Sequence, residues 1–546
     1  MEKMNSFVKA NLLAPGANGT MTENGAVSYA TAGSALLDQF AHAGTARGRN
    51  VGEVWNEQAT LWGEDPVTAL RFPFYLRMIT RQTNVINGSK TEKVQRGQGA
   101  KDESFKRLLW IARYHADEFY RNLWLVPVVG SWKDLWVLLS MDDSLDKEKF
   151  FDVLALGIND PNHKDLVKKY LPRIRSNKVC TTDWAKKTNQ LAKDFAKYVG
   201  WSPKDYREFK STGKAHEFQR VICARDYSNI DWNTIPGKAL LSLASGKFLY
   251  NHGLKDSYIK WLKEQPVAKF NGYPFELAMK LPESSYGFSH VSDVVKITVD
   301  KQFAGLIETA SKDDGAIKGN VLCALDTSGS MMSPISGGPN GLSSYDVCVS
   351  LGIYFSELNK GAFHNVVAMF DNTSTLMTLK GDSFTDKWNQ IVNARTAWGS
   401  TNFQSLITLI CNTRKSHPEI PLEDFPQTLL VVSDMQFNPT LSSNGKSISN
   451  YEKMMEMLRK YFPSEWVDDF KVVWWYCAGR SDASKDVPAT MEHGGQYLVS
   501  GFDGAIASLI LNGEVKTDPN TGKKIQPSME DVVNEALTQE VLLLVH

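Results

Sequence analysis

Residues 321–334 read VLCALDTSGSMMSP. The apolar run ends at Asp326, and Ser328 and Ser330 follow at two-residue steps. A buried strand running into a short turn brings one carboxylate and two hydroxyls together at its carboxyl end. These are hard oxygen donors, and they suit Mg²⁺ better than zinc or copper. On average residue usage an Asp-x-Ser-x-Ser triplet arises by chance roughly 0.1–0.2 times in a chain of this size, so the element needs support from elsewhere. Two more oxygen donors provide it. Thr401 lies in WGSTNF, directly before a helical pattern, and Asp434 closes the apolar run LLVVSD. The expected shell has Ser328, Ser330 and Thr401 ligating directly, with Asp326 and Asp434 acting directly or through water. Mg²⁺, or another divalent cation, would keep waters or an open position there, which a protein partner's carboxylate could fill.

The elements that must position these residues form a strand–helix alternation after about residue 315. NVLCALD, NVVAMF, QTLLVVSD, FKVVWWYCA and GQYLVSGF read as strands, and TLMTLK as a short, partly exposed one. YDVCVSLGIYFSELNK, FTDKWNQIVNAR, NFQSLITLICNTRKS, YEKMMEMLRKYF and DGAIASLIL read as helices. Nearly continuous apolar strands between amphipathic helices indicate a parallel sheet covered on both faces. Right-handed crossovers make it a doubly wound α/β domain, in which ligands bind beyond the carboxyl ends of the strands. We assign this domain to residues 315–511. Residues 512–546 read as a polar linker and a final helix whose apolar tail, VLLLV, needs a docking surface.

Upstream the pattern is helical. LWGEDPVTALRFPFYLRMITRQ and SFKRLLWIARYHADEFYRNLWLV carry apolar residues at i, i+3, i+4 and i+7. KDLVKKYL, TDWAKKTNQLAKDFAKYVG and SPKDYREFK follow, with Ser202-Pro203 as a cap and first-turn proline. Residues 51–300 are therefore expected to form an all-α, HEAT-like helical-repeat module of antiparallel helices. Residues 1–50, rich in Gly, Ala, Thr, Ser and Asn, are expected to be a loosely ordered arm with one helix near Ser34–Ala43.

Formal net charge is zero over 546 residues, but it is unevenly divided. Residues 1–300 hold 42 Lys and Arg against 33 Asp and Glu, and residues 301–546 hold 19 against 28. The first part is the more tolerant of a polyanion. Six cysteines are scattered without a CxxC pair, as in a chain kept in a reducing compartment. No apolar h-region opens the sequence and no apolar run reaches 18 residues, so neither secretion nor a membrane span is expected. The expected location is the cytoplasm, or the host cytoplasm for a viral source.

The set Asp326, Ser328, Ser330, Thr401, Asp434 resembles the metal-ion-dependent adhesion site of von Willebrand factor A domains. That pattern is Asp-x-Ser-x-Ser, then a Thr, then an Asp, and all five positions match. The resemblance covers roughly residues 315–511. It departs from the pattern at SDMQF, where Thr-Asp-Gly is commoner. RGQGAKDESF (96–105), PVVGSWKDLWVLL (127–139) and KKYLPRIRS (168–176), placed ahead of such a domain, resemble the TROVE-module architecture of Ro ribonucleoproteins. They are closer still to an uncharacterised family with the same two parts in plants, fungi and large DNA viruses. The resemblance to Ro implies a ring of helical repeats closed by the metal-site domain, and RNA contact by the helical half. Here Gln98 stands between Gly97 and Gly99, and Ala100-Lys101 replaces the usual Glu-Arg.

The residues expected to meet RNA phosphates are Arg96, Lys101, Lys168, Lys169, Arg173, Arg175 and Lys178. Residues 151–250 hold 18 basic against 10 acidic side chains, a composition able to neutralise phosphates. Trp184, Tyr198 and Trp201 could stack on bases, but their helical spacing favours core positions. The chain lacks HExxH, GxxxxGK[ST], GxSxG and the dinucleotide-binding glycine fingerprint. The expected function is thus non-enzymatic: a scaffold whose helical half binds RNA and whose α/β half binds an acidic protein through Mg²⁺, with neither DNA nor membrane as partner. Two alternatives are a protein-only assembly factor, viral or cellular, that uses Mg²⁺ without RNA, and a Mg²⁺-dependent nuclease.

Overall fold

The computed structural model describes residues 19–213, 217–281, 291–312, 316–317, 319–394, 399–479, 486–511, 516–517, 524–525 and 527–546. The chain divides into two units. One comprises Asn50–Ile235 with Leu537–His546, and the other Met1–Arg49 with Pro236–Ala536. The expected boundary near residue 300 is thereby corrected. Described residues 237–278 and 293–312 are largely helical, like those before them, but they belong to the unit of the α/β sheet. Of the expected arm, the helix near Ser34–Ala43 is present, and the loose order is corrected by a β-hairpin over residues 19–29 in the same unit; residues 1–18 of that arm lie outside the described residues. Strands β1 (Gly19–Met21) and β2 (Val27–Tyr29) form an antiparallel hairpin, and helix α1 (Ala35–Ala43) is capped by Ser34.

The helical unit begins with α2 (Val51–Glu64) and α3 (Pro66–Arg77). The sequence pattern runs unbroken through this region, yet Asp65 ends one helix and caps the next, accepting from Val67 N–H at 3.0 Å. Proline in the first turn fixes the break, because its missing N–H costs nothing there. Helices α4 (Lys101–Tyr114), α5 (Lys133–Met141), α6 (Lys164–Tyr170), α7 (Asp183–Tyr198) and α8 (Pro203–Ser211) follow. The Ser202 side chain accepts from Asp205 N–H while Asp205 accepts from Ser202, a reciprocal capping box. The apolar tail finds its docking surface in this unit. Val541 and Leu542 are fully buried, and Val541 N–H donates to Gln95 Oε1 at 3.1 Å.

In the second unit, α9 (Asp293–Lys312) precedes the sheet. The strands are β3 (Val321–Asp326), β4 (Val366–Phe370), β5 (Ser374–Thr378), β6 (Thr428–Ser433), a small hairpin of β7 (Thr440–Leu441) and β8 (Ser447–Ile448), β9 (Lys471–Tyr476) and β10 (Gln496–Ser500). Helices α10 (Ser344–Leu358), α11 (Phe384–Ala394), α12 (Phe403–Ser416) and α13 (Asn450–Tyr461) alternate with them. The main sheet has the order β10-β9-β6-β3-β4-β5 and is parallel except for the edge strand β5. From β3 the chain winds outward through β4 and β5, then returns to place β6 on the other side of β3. The carboxyl ends of β3 and β6 thus flank the topological switch point, where an α/β sheet opens a crevice.

Packing fixes β3 at this point. All six of its residues are buried. Gly352 on α10 lies so close that an added methyl carbon would meet Leu325 Cδ2 at 2.4 Å. Overpacking of that kind costs about 1–3 kcal/mol. Below the strand end, the Cys348 thiol donates to Val432 O at 3.2 Å. Exposed His364 bonds Asn359 O through Nδ1 at 2.8 Å.

Candidate functional site

Three loops meet at the switch point. The first follows β3: Asp326 Oδ1 accepts from Ser328 N–H at 2.9 Å, and the Ser328 and Ser330 hydroxyls lie 3.2 Å apart. The second is 399–402, and Gly329 N–H donates to Gly399 O at 3.0 Å. The third follows β6, and Asn438 N–H donates to Thr401 O at 2.9 Å. Register closes the set. Leu325 pairs with Val432, so the next residues, Asp326 and Ser433, stand side by side; Ser433 Oγ donates to Asp326 Oδ2 at 2.5 Å. Asp326, Ser328, Thr401 and Asp434 are at most 2% exposed, and Ser330 is half-buried.

The departure SDMQF keeps the turn. Met435 adopts φ +59°, a left-handed conformation natural to glycine and costing other residues about 1–2 kcal/mol. Two local bonds hold it there: Met435 N–H to Ser433 Oγ at 2.9 Å, and Gln436 N–H to Asp434 Oδ1 at 3.1 Å. The β1–β2 hairpin braces the same loop, with Thr22 Oγ1 donating to Phe437 O at 2.9 Å and Glu23 N–H to Gln436 Oε1 at 2.7 Å.

Electrostatics make this edge unusual. Burial, then the negative charge of Asp434, hold the Asp326 carboxyl well above the usual carboxylate range. Among the described residues no lysine or arginine pairs with Asp326. Two buried carboxylates beside two buried hydroxyls and a third half-buried one are a hard-oxygen donor set. The set fits Mg²⁺, which takes one or two carboxylates and completes its shell with neutral oxygens. Among the described residues no group of three or more His, Cys, Asp or Glu is arranged to hold a metal; here the donors other than Asp326 and Asp434 are hydroxyls. Ser433 was not foreseen, since it reads as the last residue of an apolar run and only strand register reveals its neighbour.

In the helical unit the seven basic residues separate. Arg96 and Lys101 belong to a packing element. An added methyl on Gly97 would meet Met78 Cβ at 2.4 Å, and Gln98 Nε2 donates to Tyr75 OH at 2.9 Å. The Arg96 backbone N–H donates to Gln539, and Lys101 lies 3.3 Å from buried Asp134. Lys168 is 8% exposed, with its ammonium over the Phe209 ring at 5.0 Å, which takes it out of the expected exposed cluster. Lys178 is exposed in a turn. Lys169, Arg173 and Arg175 do come together, lining one groove with Lys133, Trp136 and Trp184. Trp184 is 44% exposed, contrary to the core position its spacing favoured. Lys133 escaped the sequence reading, although its place at a helix start after Gly130-Ser131 was visible.

Fold and site together define a two-unit chain, with a helical unit and a doubly wound α/β unit that carries an oxygen-donor crevice at its switch point. Among known proteins, residues 320–541 match a family described as a domain of unknown function, DUF7788. Uncharacterized protein L728 of Acanthamoeba polyphaga mimivirus is 24% identical over 536 residues, spanning 91% of this chain and 85% of that protein. The chain is also similar to the crystal structure of the Deinococcus radiodurans Ro (RSR) protein, with a TM-score of 0.38 and 14% identity over 87% of this chain and 98% of that one. Among the described residues no helix is long and apolar enough to cross a membrane.

Proposed function

We propose that this chain is a non-enzymatic binding scaffold of the von Willebrand factor A type, with a Ro-like helical half. Its α/β unit would hold Mg²⁺ at Ser328, Ser330, Thr401, Asp326 and Asp434 and take an acidic protein partner there. Its helical unit would bind RNA. The observation that carries the reading is the buried Asp326 carboxylate, placed beside Asp434 at the switch point, with which no lysine or arginine pairs among the described residues. A bound divalent ion supplies the missing positive charge and an open position for an incoming carboxylate. Exposed Arg173 and Arg175, with half-exposed Lys169, support the RNA half.

Retention on the immobilised chain tests both halves. Labelled RNA is expected to bind in low salt, to stay intact over a long incubation and to be indifferent to EDTA. An acidic protein partner is expected to bind in Mg²⁺, to be released by EDTA and to ignore ribonuclease. RNA that shortens with time in Mg²⁺ would replace the scaffold reading with a nuclease. Mg²⁺-dependent partner binding without any RNA retention would leave a protein-only assembly factor.

A further inference from the structure

We propose that the groove lined by Lys133, Lys169, Arg173, Arg175 and Trp184 binds one nucleoside phosphate, with its phosphate among the cations and its base against the Trp184 indole. The inference rests on the RNA-binding reading above and narrows it to one subsite. The groove has a volume of about 320 Å³, near the lower end of small-ligand clefts, roughly 300–1,000 Å³. One nucleotide fits such a space and a duplex does not.

Charge is the first argument. Four cations line the groove and no acidic residue does. Several cations of the same segment are paired: Lys168 with Asp165, Lys186 with Asp183, Lys187 with Asp143, and Lys147 with Asp194. Among the described residues none of Lys133, Lys169, Arg173 and Arg175 has a carboxylate partner. Four positive charges without a carboxylate partner thus share one concave surface, which raises local anion concentration. The half-buried Lys210 ammonium donates to Lys168 O at 3.0 Å, and burial followed by the charge of Arg173 pushes its pKa down to about 8.

The aromatic residues are the second argument. Trp184 presents its ring to solvent at the start of α7, beside the cations. Trp136, 1% exposed, also lines the groove, and its indole N–H has no acceptor among the described residues. An acidic peptide would use the cations alone. A nucleotide uses cations and aromatic face together.

The wall is also held in place before any ligand arrives. Pro172–Arg175 has no regular secondary structure. Tyr206 OH donates to Pro172 O at 2.8 Å, Arg175 N–H donates to Asn189 Oδ1 at 2.8 Å, and Asn189 Nδ2 donates back to Arg175 O at 3.2 Å. The arginines thus project from a fixed backbone, which lowers the entropy lost on binding.

Calorimetric titration of the full chain with uridine monophosphate, inorganic phosphate and a polyglutamate peptide tests the groove, alongside anisotropy of a short labelled single-stranded RNA. The mononucleotide should bind one site, more tightly than inorganic phosphate. Trp184→Ala should weaken the mononucleotide about tenfold and leave phosphate unchanged, and Trp184→Phe should restore most of the loss. Arg173→Ala with Arg175→Ala should weaken both ligands. Circular dichroism of each variant confirms its fold, which the exposure of these side chains protects. The proposal is overturned if Trp184→Ala changes nothing, or if polyglutamate binds as tightly as the mononucleotide. RNA bound equally by parent and Trp184→Ala removes the groove and leaves RNA binding standing elsewhere. Mononucleotide bound without any RNA keeps the groove, makes a free nucleotide its ligand and removes the RNA reading.

Discussion

The region around Asp134 and the sheet edge around Asp326 both bury carboxylates, and they balance them in opposite ways. Asp134 is fully buried, with Arg77 Nη2 at 2.6 Å and Lys101 Nζ at 3.3 Å. Glu103, in the same unit, meets buried Arg107 at 2.9 Å. There the chain encodes both signs of charge. At the sheet edge Asp326 is just as buried, but its partners are a backbone N–H and a serine hydroxyl, and its neighbour Asp434 carries the same sign. A balanced pair closes a region and makes it static. A carboxylate buried without a cation, as Asp326 is among the described residues, costs several kcal/mol and leaves a place for a charge that comes from outside.

Breaking the balanced side should give the largest effect. Arg77→Ala leaves Asp134 buried without its closest cation, and we expect a loss of about 3–5 kcal/mol in stability. Urea melts should show this loss equally in Mg²⁺ and in EDTA. Next comes the unbalanced side, where Mg²⁺ at a hundred times its Kd should stabilise the chain by about 2.7 kcal/mol.

The basic groove sharpens the comparison from the other direction, since its surplus charge is exposed. Each phosphate contact with single-stranded RNA contributes roughly 0.7 to the slope of log affinity against log salt. Arg173→Ala with Arg175→Ala should therefore flatten that slope by about 1.4. Lys210 should give the smallest effect. Its folded pKa lies below the ordinary lysine value, so from about pH 8 upward the unfolded chain holds a proton that the folded chain has released. Stability should rise with pH across that window, and Lys210→Met should remove the rise. A slope that survives the substitution would assign it to another group.

The sheet edge was legible in the sequence because strand and turn periodicity fix it locally. Two-residue steps place Asp326, Ser328 and Ser330 together whatever else the chain does, and an apolar run ending in Asp434 points to the same edge. Ser433 was invisible because its role depends on register with a strand 107 residues away. The unit boundary was misread for a related reason. The expected module ended at 300, inside helix α9 (Asp293–Lys312), and helical periodicity does not show which unit a helix packs in. Phe303 on α9 stacks 4.6 Å from Phe384 on α11, within the α/β unit. The basic cluster was half legible. A string of lysines and arginines signals positive charge, but α6 turns Lys168 inward beside Val167 while Lys169 stays half-exposed.

The central claim is that the carboxylates at the switch point are completed by a divalent ion. Thermal melting of the parent, Asp326→Ala and Arg77→Ala, each in Mg²⁺ and in EDTA, tests it most directly. The account predicts that Mg²⁺ raises the melting temperature of the parent and of Arg77→Ala by the same increment, and that Asp326→Ala loses the increment entirely. A parent that melts at one temperature in both conditions, or an Asp326→Ala variant that keeps the full increment, would contradict it.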